Sequence, residues 1–338
     1  MTAFLPEIWF GLIVFLFTGY AILDGFDLGV GIIHFVRSDE AERRIRMNAI
    51  GPIWDGNEVW LVTAGGALFA AFPEAYATIF SGFYGAMMML LAALILRAVS
   101  LEFRGKLDVP VWRRVWDTAF SAGSLLVALL FGVAIGNLLQ GLPLSPEKEY
   151  LGGLPGLLNP FGLFTGLVAV CVFAMHGALY LMNKGEGTAR ATALTVARFT
   201  APVAVLSSLV MVNWSLTFEH LTAVPGGVMN GAVFSMGLIL ALELFIPRRS
   251  PGIDRGTFIF SSAFIATLAL HVATGIFPAI VRGTPGTTNL MIREAASSSA
   301  TLFNMLIIAG IGMPLVLGYS WYIHRVFRGP VRLDDASY

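Results

Sequence analysis

Residues 53–72 read IWDGNEVWLVTAGGALFAAF, and whether this stretch crosses a membrane decides the fold. Its first half carries Asp55, Asn57 and Glu58, and only from Leu61 onward is it plainly apolar. A helix that spans a hydrocarbon core needs about 20 mainly apolar residues. Eight other stretches satisfy that need more readily, at 8–36, 77–99, 116–140, 161–183, 196–218, 228–247, 257–281 and 300–325. With 53–72 counted as a ninth and the N-terminus placed outside, 18 of the 21 basic residues fall on the cytoplasmic side. These are Arg37, Arg43, Arg44, Arg46, Arg97, Arg104, Lys106, Arg113, Arg114, Lys184, Arg190, Arg198, Arg248, Arg249, Arg255, Arg325, Arg328 and Arg332. Only Lys148, Arg282 and Arg293 lie outside. Such a bias is the cytoplasmic excess of Lys and Arg expected of membrane proteins. Without 53–72 the alternation collapses. The expectation is an all-α polytopic membrane protein of nine transmembrane helices, with the N-terminus outside and the C-terminus cytoplasmic. Counting divides this single integral-membrane domain, 1–338, into a first four-helix bundle at 1–140, a second at 161–281 and a peripheral helix at 300–325.

Composition agrees with this class. Hydrophobic residues make up 57% of the 338, and charged residues only 12%, against about 25% in soluble domains. Mean hydropathy is +0.77. Twenty-one basic residues balance 21 acidic ones, which excludes charge-driven disorder and leaves nothing to neutralise a run of nucleic-acid phosphates. No basic segment precedes the first span, so it is expected to be retained and not removed as a signal peptide. The single cysteine, Cys171, permits no internal disulfide and no thiolate cluster, and there is no CxxCH for covalent haem attachment. No glycine-rich nucleotide signature occurs. The 37 glycines suit close helix crossings in lipid, where small residues let backbones approach.

Carboxylates inside spans are costly and ordinarily face protein, water or a partner. The first span ends YAILDGFDLGVGIIHF (20–35), where Asp24 and Asp27 stand three apart on one helix face. The second begins NAIGPIWDGNEVWL (48–61), with Asp55 and Glu58 again three apart and Asn57 beside them. Four acids are therefore expected at one level, near the cytoplasmic side, on adjacent helices. Crowded carboxylates suit proton exchange, and carboxylates with an Asn also suit a hard cation. Helix capping, or pairing with Arg43, Arg44 or Arg46, is the plain structural alternative. His176 and His271 lie at the depth of haem or quinone contacts, and a hydrogen-bonded core histidine is the favoured reading of each.

The runs LDGFDLGVG and GPIWDGNEVWLVTAGGALFAAFPEAYA closely resemble subunit II of the cytochrome bd-type quinol oxidases, a family that includes cyanide-insensitive variants. RAVSLEFRGK, GVAIGNLLQG, LLNPFGLFTGL and ATLFNMLIIAG extend the resemblance over most of the chain. It implies a complex that oxidises quinol, reduces dioxygen to water and draws protons from the cytoplasm. Haem b and haem d, or haem b only, are then held by subunit I, and this chain is a haem-free partner that is not catalytic alone. The family also implies contact with membrane lipid, a small single-span accessory subunit in some members and a structural quinone in others. The expected location is the bacterial or archaeal cytoplasmic (inner) membrane. The resemblance makes Asp24 and Asp55 the relay acids, with Asp27, Asn57 and Glu58 as supporting groups and no metal site. Trp54 and Trp60 become candidate quinone contacts, and His176 and His271 return to structural roles. A proton- or cation-coupled transporter is the alternative from another class, although the acids lie near one end of their helices and no repeat is visible.

Overall fold

A computed structural model describes residues 4–36, 38–218, 221, 226–245 and 253–333. Helices dominate: α1 (Leu5–Ile33), α2 (Glu40–Ile50), α3 (Trp54–Ala71), α4 (Pro73–Gly82), α5 (Tyr84–Phe103), α6 (Pro110–Gln140), α7 (Gly153–Leu157), α8 (Pro160–Lys184), α9 (Gly187–Ser215), α10 (Gly226–Phe245) and α11 (Ile253–Ile276). A two-stranded antiparallel pair, β1 (Ala279–Val281) and β2 (Leu290–Met291), precedes α12 (Ile292–Ala295) and α13 (Ser299–Val326).

Each of the nine predicted stretches falls on a helix. Among the described residues seven helices are long and apolar enough to cross a membrane, namely α1, α5, α6, α8, α9, α11 and α13. The protein is thus an all-α, multi-pass membrane chain. Two predicted stretches are not among these seven: α3 opens on polar residues, and of α10 the apolar run Val228–Ala241 is the part counted among the described residues. The predicted 77–99 segment is divided, with α4 ending at Gly82 and α5 starting at Tyr84. Pro73 closes α3 because it has no backbone N–H to donate, and its fixed φ instead starts α4. The 257–281 stretch runs too far, since its last three residues form β1. Helix α2 is an element that hydrophobic periodicity passes over, being short and charged. Arg37, Arg248 and Arg249 of the topology argument lie outside the described residues, as does the side chain of Arg255.

Packing centres on α8, which lies against α1, α6, α9 and α11. Its closest crossing is with α1 at Gly29 and Gly177, where a Cβ on either residue would run into the backbone of the other helix. Helix α13 is peripheral, with Leu302 its one buried residue. It is tied down at its ends. Trp9 Nε1 donates to the Leu302 carbonyl at 2.9 Å, and the Ser297 N–H donates to Ala71 at 2.8 Å. At the far end Lys184 Nζ donates to the Phe327 carbonyl, and the Val331 N–H returns a bond to Lys184 at 2.8 Å. The C-terminal ends of α1 and α5 and the N-terminal ends of α3 and α6 share one end of the molecule. The segment after α6 and the β-pair join at the other, where the Leu142 N–H donates to the Arg282 carbonyl at 2.8 Å.

Candidate functional site

The C-terminal half of α1, the first turns of α3 and the last turns of α5 meet in a buried ion cluster. Asp24 and Asp27 project from α1 and are fully buried. Helix α3 buries a single stripe, Asn57–Trp60–Ala64–Leu68–Ala71, and its first member reaches the cluster. Arg97 comes from α5, within the apolar run ALILRAVSL (93–101). Its neighbours one turn away, Ala93, Ser100 and Leu101, are buried as well. An arginine so placed on the packed face of its helix has nowhere to go except to a counter-ion.

Arg97 Nη2 donates to Asp24 Oδ1 at 2.7 Å, with both side chains 0% exposed. The same nitrogen is 3.9 Å from Asp27 Oδ2, and Nη1 is 4.0 Å from Glu58 Oε1. Asn57 Nδ2 donates to Asp27 Oδ2 at 2.8 Å and lies 3.3 Å from the Leu23 carbonyl. Three carboxylates therefore surround one guanidinium. Several buried atoms at the cluster make no hydrogen bond: Asp24 Oδ2, Asp27 Oδ1, Arg97 Nε and the Tyr20 hydroxyl.

Of the residues singled out in sequence, the structure joins Asp24, Asp27, Asn57 and Glu58. Asp55 does not join them. It is exposed, because two residues from Asn57 is about 200° around a helix. The expected convergence of four acids is thus three acids on an arginine, with the fourth outside. Of the arginines named as alternative partners, Arg43 pairs with Asp117 and Arg46 with Glu42, each at 2.7 Å. Arg97 itself was read only as a topological marker. Its signal in the sequence is the apolar residue on every side.

Below this cluster, nearer the loops, lies a second one that sequence reasoning missed. Asp117 on α6 faces His34 Nε2 at 2.7 Å, Arg43 Nη1 at 2.7 Å and Arg104 Nε at 2.6 Å. Arg104 also reaches Glu40 at 3.0 Å, and Arg113 bridges Glu40 at 3.6 Å and Asp108 at 2.8 Å. Burial pushes the His34 imidazole below its ordinary value of 6.5, against the pull of the Asp117 carboxylate for the proton.

Trp54 is half-buried against the main core. Trp60 is buried, and its Nε1 makes no hydrogen bond. It lines an apolar groove of about 380 Å³ between α1, α3 and α13, together with Phe15, Ile22, Trp321 and His324. His176 is fully buried, with Nδ1 2.7 Å from Ser261 Oγ, Nε2 3.0 Å from the Ile22 carbonyl and its ring stacked on Phe258. His271 Nε2 lies 2.8 Å from Ser215 Oγ. Both histidines hold helices together. Among the described residues no group of three or more His, Cys, Asp and Glu is arranged to hold a metal ion.

The cytochrome bd terminal oxidase subunit II family matches residues 5–327 of this chain. The probable cytochrome oxidase subunit 2 of Haemophilus influenzae is 35% identical over 359 residues, covering 96% of this chain and 94% of that protein. The cytochrome bd-I ubiquinol oxidase subunit 2 of Escherichia coli K12 is 34% identical over 364 residues, covering 97% and 95%. The cytochrome bd ubiquinol oxidase subunit 2 of Bacillus subtilis is 32% identical over 329 residues, covering 96% of each. A chain in the solved structure of the bd oxidase from Geobacillus thermodenitrificans superposes with a TM-score of 0.77 at 17% identity, over 96% of this chain and 98% of that one, and so shares the fold.

Proposed function

This chain belongs to the cytochrome bd terminal oxidase subunit II family, and on that premise we propose that its own contribution to the oxidase is proton uptake from the cytoplasm. It is the haem-free accessory subunit of a bd-type quinol:oxygen oxidoreductase, a part of the enzyme and not catalytic alone. The haem-bearing subunit I carries haem b with haem d, or haem b only. All nine helices cross the bacterial inner membrane, as two four-helix bundles and a peripheral helix, with the N-terminus outside. The balance of basic residues supports that orientation. No observation favours a transporter.

One observation carries the proton reading: exposure at the surface of this chain falls in steps along the acids. Asp55 is exposed, the Glu58 side chain is 20% exposed, and Asp24 and Asp27 are closed off against Arg97. Asp55 and Glu58 are three residues apart and so neighbours on α3. The series leads from the surface to a buried charge pair, with Asp24 and Asp55 as the relay acids at its two ends and Asp27, Asn57 and Glu58 between them. A charge open to lipid at Asp55 would be costly, so this residue should face protein or water. The exposed apolar residues that continue its face of α3, Val59, Val62 and Phe69, support cover by subunit I.

The groove at Trp60 fits a structural quinone. It is apolar and ring-lined, and the buried Trp60 Nε1, which makes no hydrogen bond, suits a quinone carbonyl, whereas His324 Nδ1 donates to the Ser320 carbonyl at 2.8 Å and leaves Nε2 as an acceptor for a quinol hydroxyl. Trp54 does not line it. A small single-span subunit and membrane lipid are the further partners the family implies.

The test replaces Asp24 or Asp55 by Asn in the assembled oxidase. Oxygen consumption should fall while the haem spectrum stays intact. Unchanged turnover in both variants refutes the relay, and loss of the haem signal assigns the residue to assembly.

A further inference from the structure

The cluster on Arg97 does not balance its charge. Asp24, Asp27 and Glu58 would carry three negative charges against one positive. Among the described residues Arg97 is the one cation in ion-pair reach of any of them. The other groups near Asp24 and Asp27 are neutral: the Tyr20 hydroxyl and Asn57, with His176 bonded to Ser261 and Ile22, and Tyr180 donating to Ala49 at 3.0 Å. Asp27 is closed off and the Glu58 side chain is only 20% exposed, so two uncompensated charges there would lack a partner and most of their solvation, which buried ions do not tolerate.

We propose that this cluster is a resident proton store, in which Asp24 alone is ionised against Arg97 and two protons sit on Asp27 and Glu58. The hydrogen bonds distinguish the three acids. Asp24 holds the short charge-assisted bond to Arg97 at 2.7 Å, the geometry of a true carboxylate–guanidinium pair. Asp27 Oδ2 accepts from Asn57 and faces Arg97, so it stays an acceptor, and the proton belongs on Oδ1, which has no other partner. Glu58 stands furthest from Arg97, at 4.0 Å, and is the one member open to the outside.

This deepens the proton-uptake reading and rests on it, with one role revised: Asp24 serves the relay as the fixed counter-ion of Arg97, and the protons themselves pass along Glu58 and Asp27. In operation Asp27 gives up its proton toward the partner subunit and becomes a carboxylate beside Arg97. The Glu58 proton then refills Asp27, and a proton from the cytoplasmic side refills Glu58. One proton enters, one leaves, no electron moves, and Arg97 stays protonated throughout. Arg97 is a positioning residue: it makes one acid a permanent anion so that the other two are neutral at rest, and it faces the carboxylate that Asp27 becomes between release and refilling.

Infrared spectroscopy of the purified oxidase complex near neutral pH tests this. Two protonated-carboxyl C=O bands that shift in D₂O are expected. One should disappear in Asp27→Asn and the other in Glu58→Gln, whereas both should persist in Asp55→Asn. Arg97→Lys should keep the two bands, and Arg97→Gln should add a third as Asp24 loses its counter-ion. If Arg97→Gln does not assemble, as judged by haem absorbance, the near-isosteric Asp27 and Glu58 variants still decide the matter. A spectrum unchanged in both of these overturns the proposal, as do carboxylate bands that respond to sodium at fixed pH, which would mean that a cation balances the cluster. The bands report resting protonation and not turnover, so they stand or fall apart from the oxygen-consumption test.

Discussion

Removing the Asp117 carboxylate tests what holds the loop-facing end of the helices together. Asp117, His34 and Arg104 are closed off, at 6%, 0% and 2% side-chain exposure, while Arg43 is at 29%. In Asp117→Leu, Arg43 can turn to water, a change worth about 0–1 kcal/mol. Arg104 cannot. It keeps only Glu40, whose side chain is 45% exposed, and stripping one partner from a buried pair costs about 3–5 kcal/mol. His34 loses the partner of its Nε2, for which an orphaned buried group costs about 1–3 kcal/mol. These losses share one carboxylate and do not add, so the expected destabilisation is about 3–5 kcal/mol, set by Arg104. Asp117→Asn, which keeps an acceptor oxygen, should lose less, and Arg43→Gln about 0–1 kcal/mol. The double variant Asp117→Leu with Arg104→Leu should recover much of the loss, because no buried charge is then stranded. The assay is the fraction of intact oxidase complex after a graded heat step in detergent, read by gel filtration and haem absorbance. A single Leu variant as robust as Arg43→Gln, or a double variant weaker than the single, refutes the reasoning.

Two further outcomes follow from the packing and from the loop-facing cluster. Gly177→Val should abolish or sharply reduce recovery of the complex, since even the first added carbon meets the α1 backbone at Gly29 and overpacking there costs at least about 1–3 kcal/mol; Gly65→Ala, with nothing within 4 Å of the added carbon, is the control and should express normally. His34 binds its proton less readily when folded than its ordinary value of 6.5, so the unfolded chain takes up the proton first on acidification. Stability should therefore fall as pH drops below about 6.5, and His34→Gln should flatten that slope in the same heat assay. Equal acid slopes in the two proteins would remove His34 as the cause.

The membrane class was legible because hydrophobic runs and basic bias are long-range averages that survive local errors. The boundaries were less so: Pro73 and the β-pair interrupt runs whose hydropathy continues through them. At the candidate site, Asp24, Asp27 and Glu58 were visible because carboxylates in apolar segments stand out. Arg97 and Arg104 did not stand out, since the orientation rule treats a basic residue near a span end as a mark of sidedness and asks nothing about which face it occupies. The missing step was helical phase. The buried residues Asp117, Phe120, Ser121 and Ser124 of α6 repeat at three and four, which marks Asp117 as core. The α3 stripe from Asn57 likewise places Asp55 off the packed face.

Phase also separates the two clusters by what they can do. In the loop-facing one, Asp117, Glu40 and Asp108 meet Arg43, Arg104 and Arg113, three acids against three arginines, so it is neutral with every group in its ordinary ionised form and His34 uncharged. Nothing there requires a proton to come or go, and its loss should be read in stability. In the membrane-facing one, three acids share Arg97, and neutrality is reached only by taking up two protons. The same chemistry of arginine and carboxylate thus builds a clamp where the charges match and a proton-exchanging site where they do not. Removing one acid from each should give opposite phenotypes: Glu58→Gln lowers proton demand on Arg97 and should alter turnover with little effect on heat survival, whereas Asp117→Leu should do the reverse.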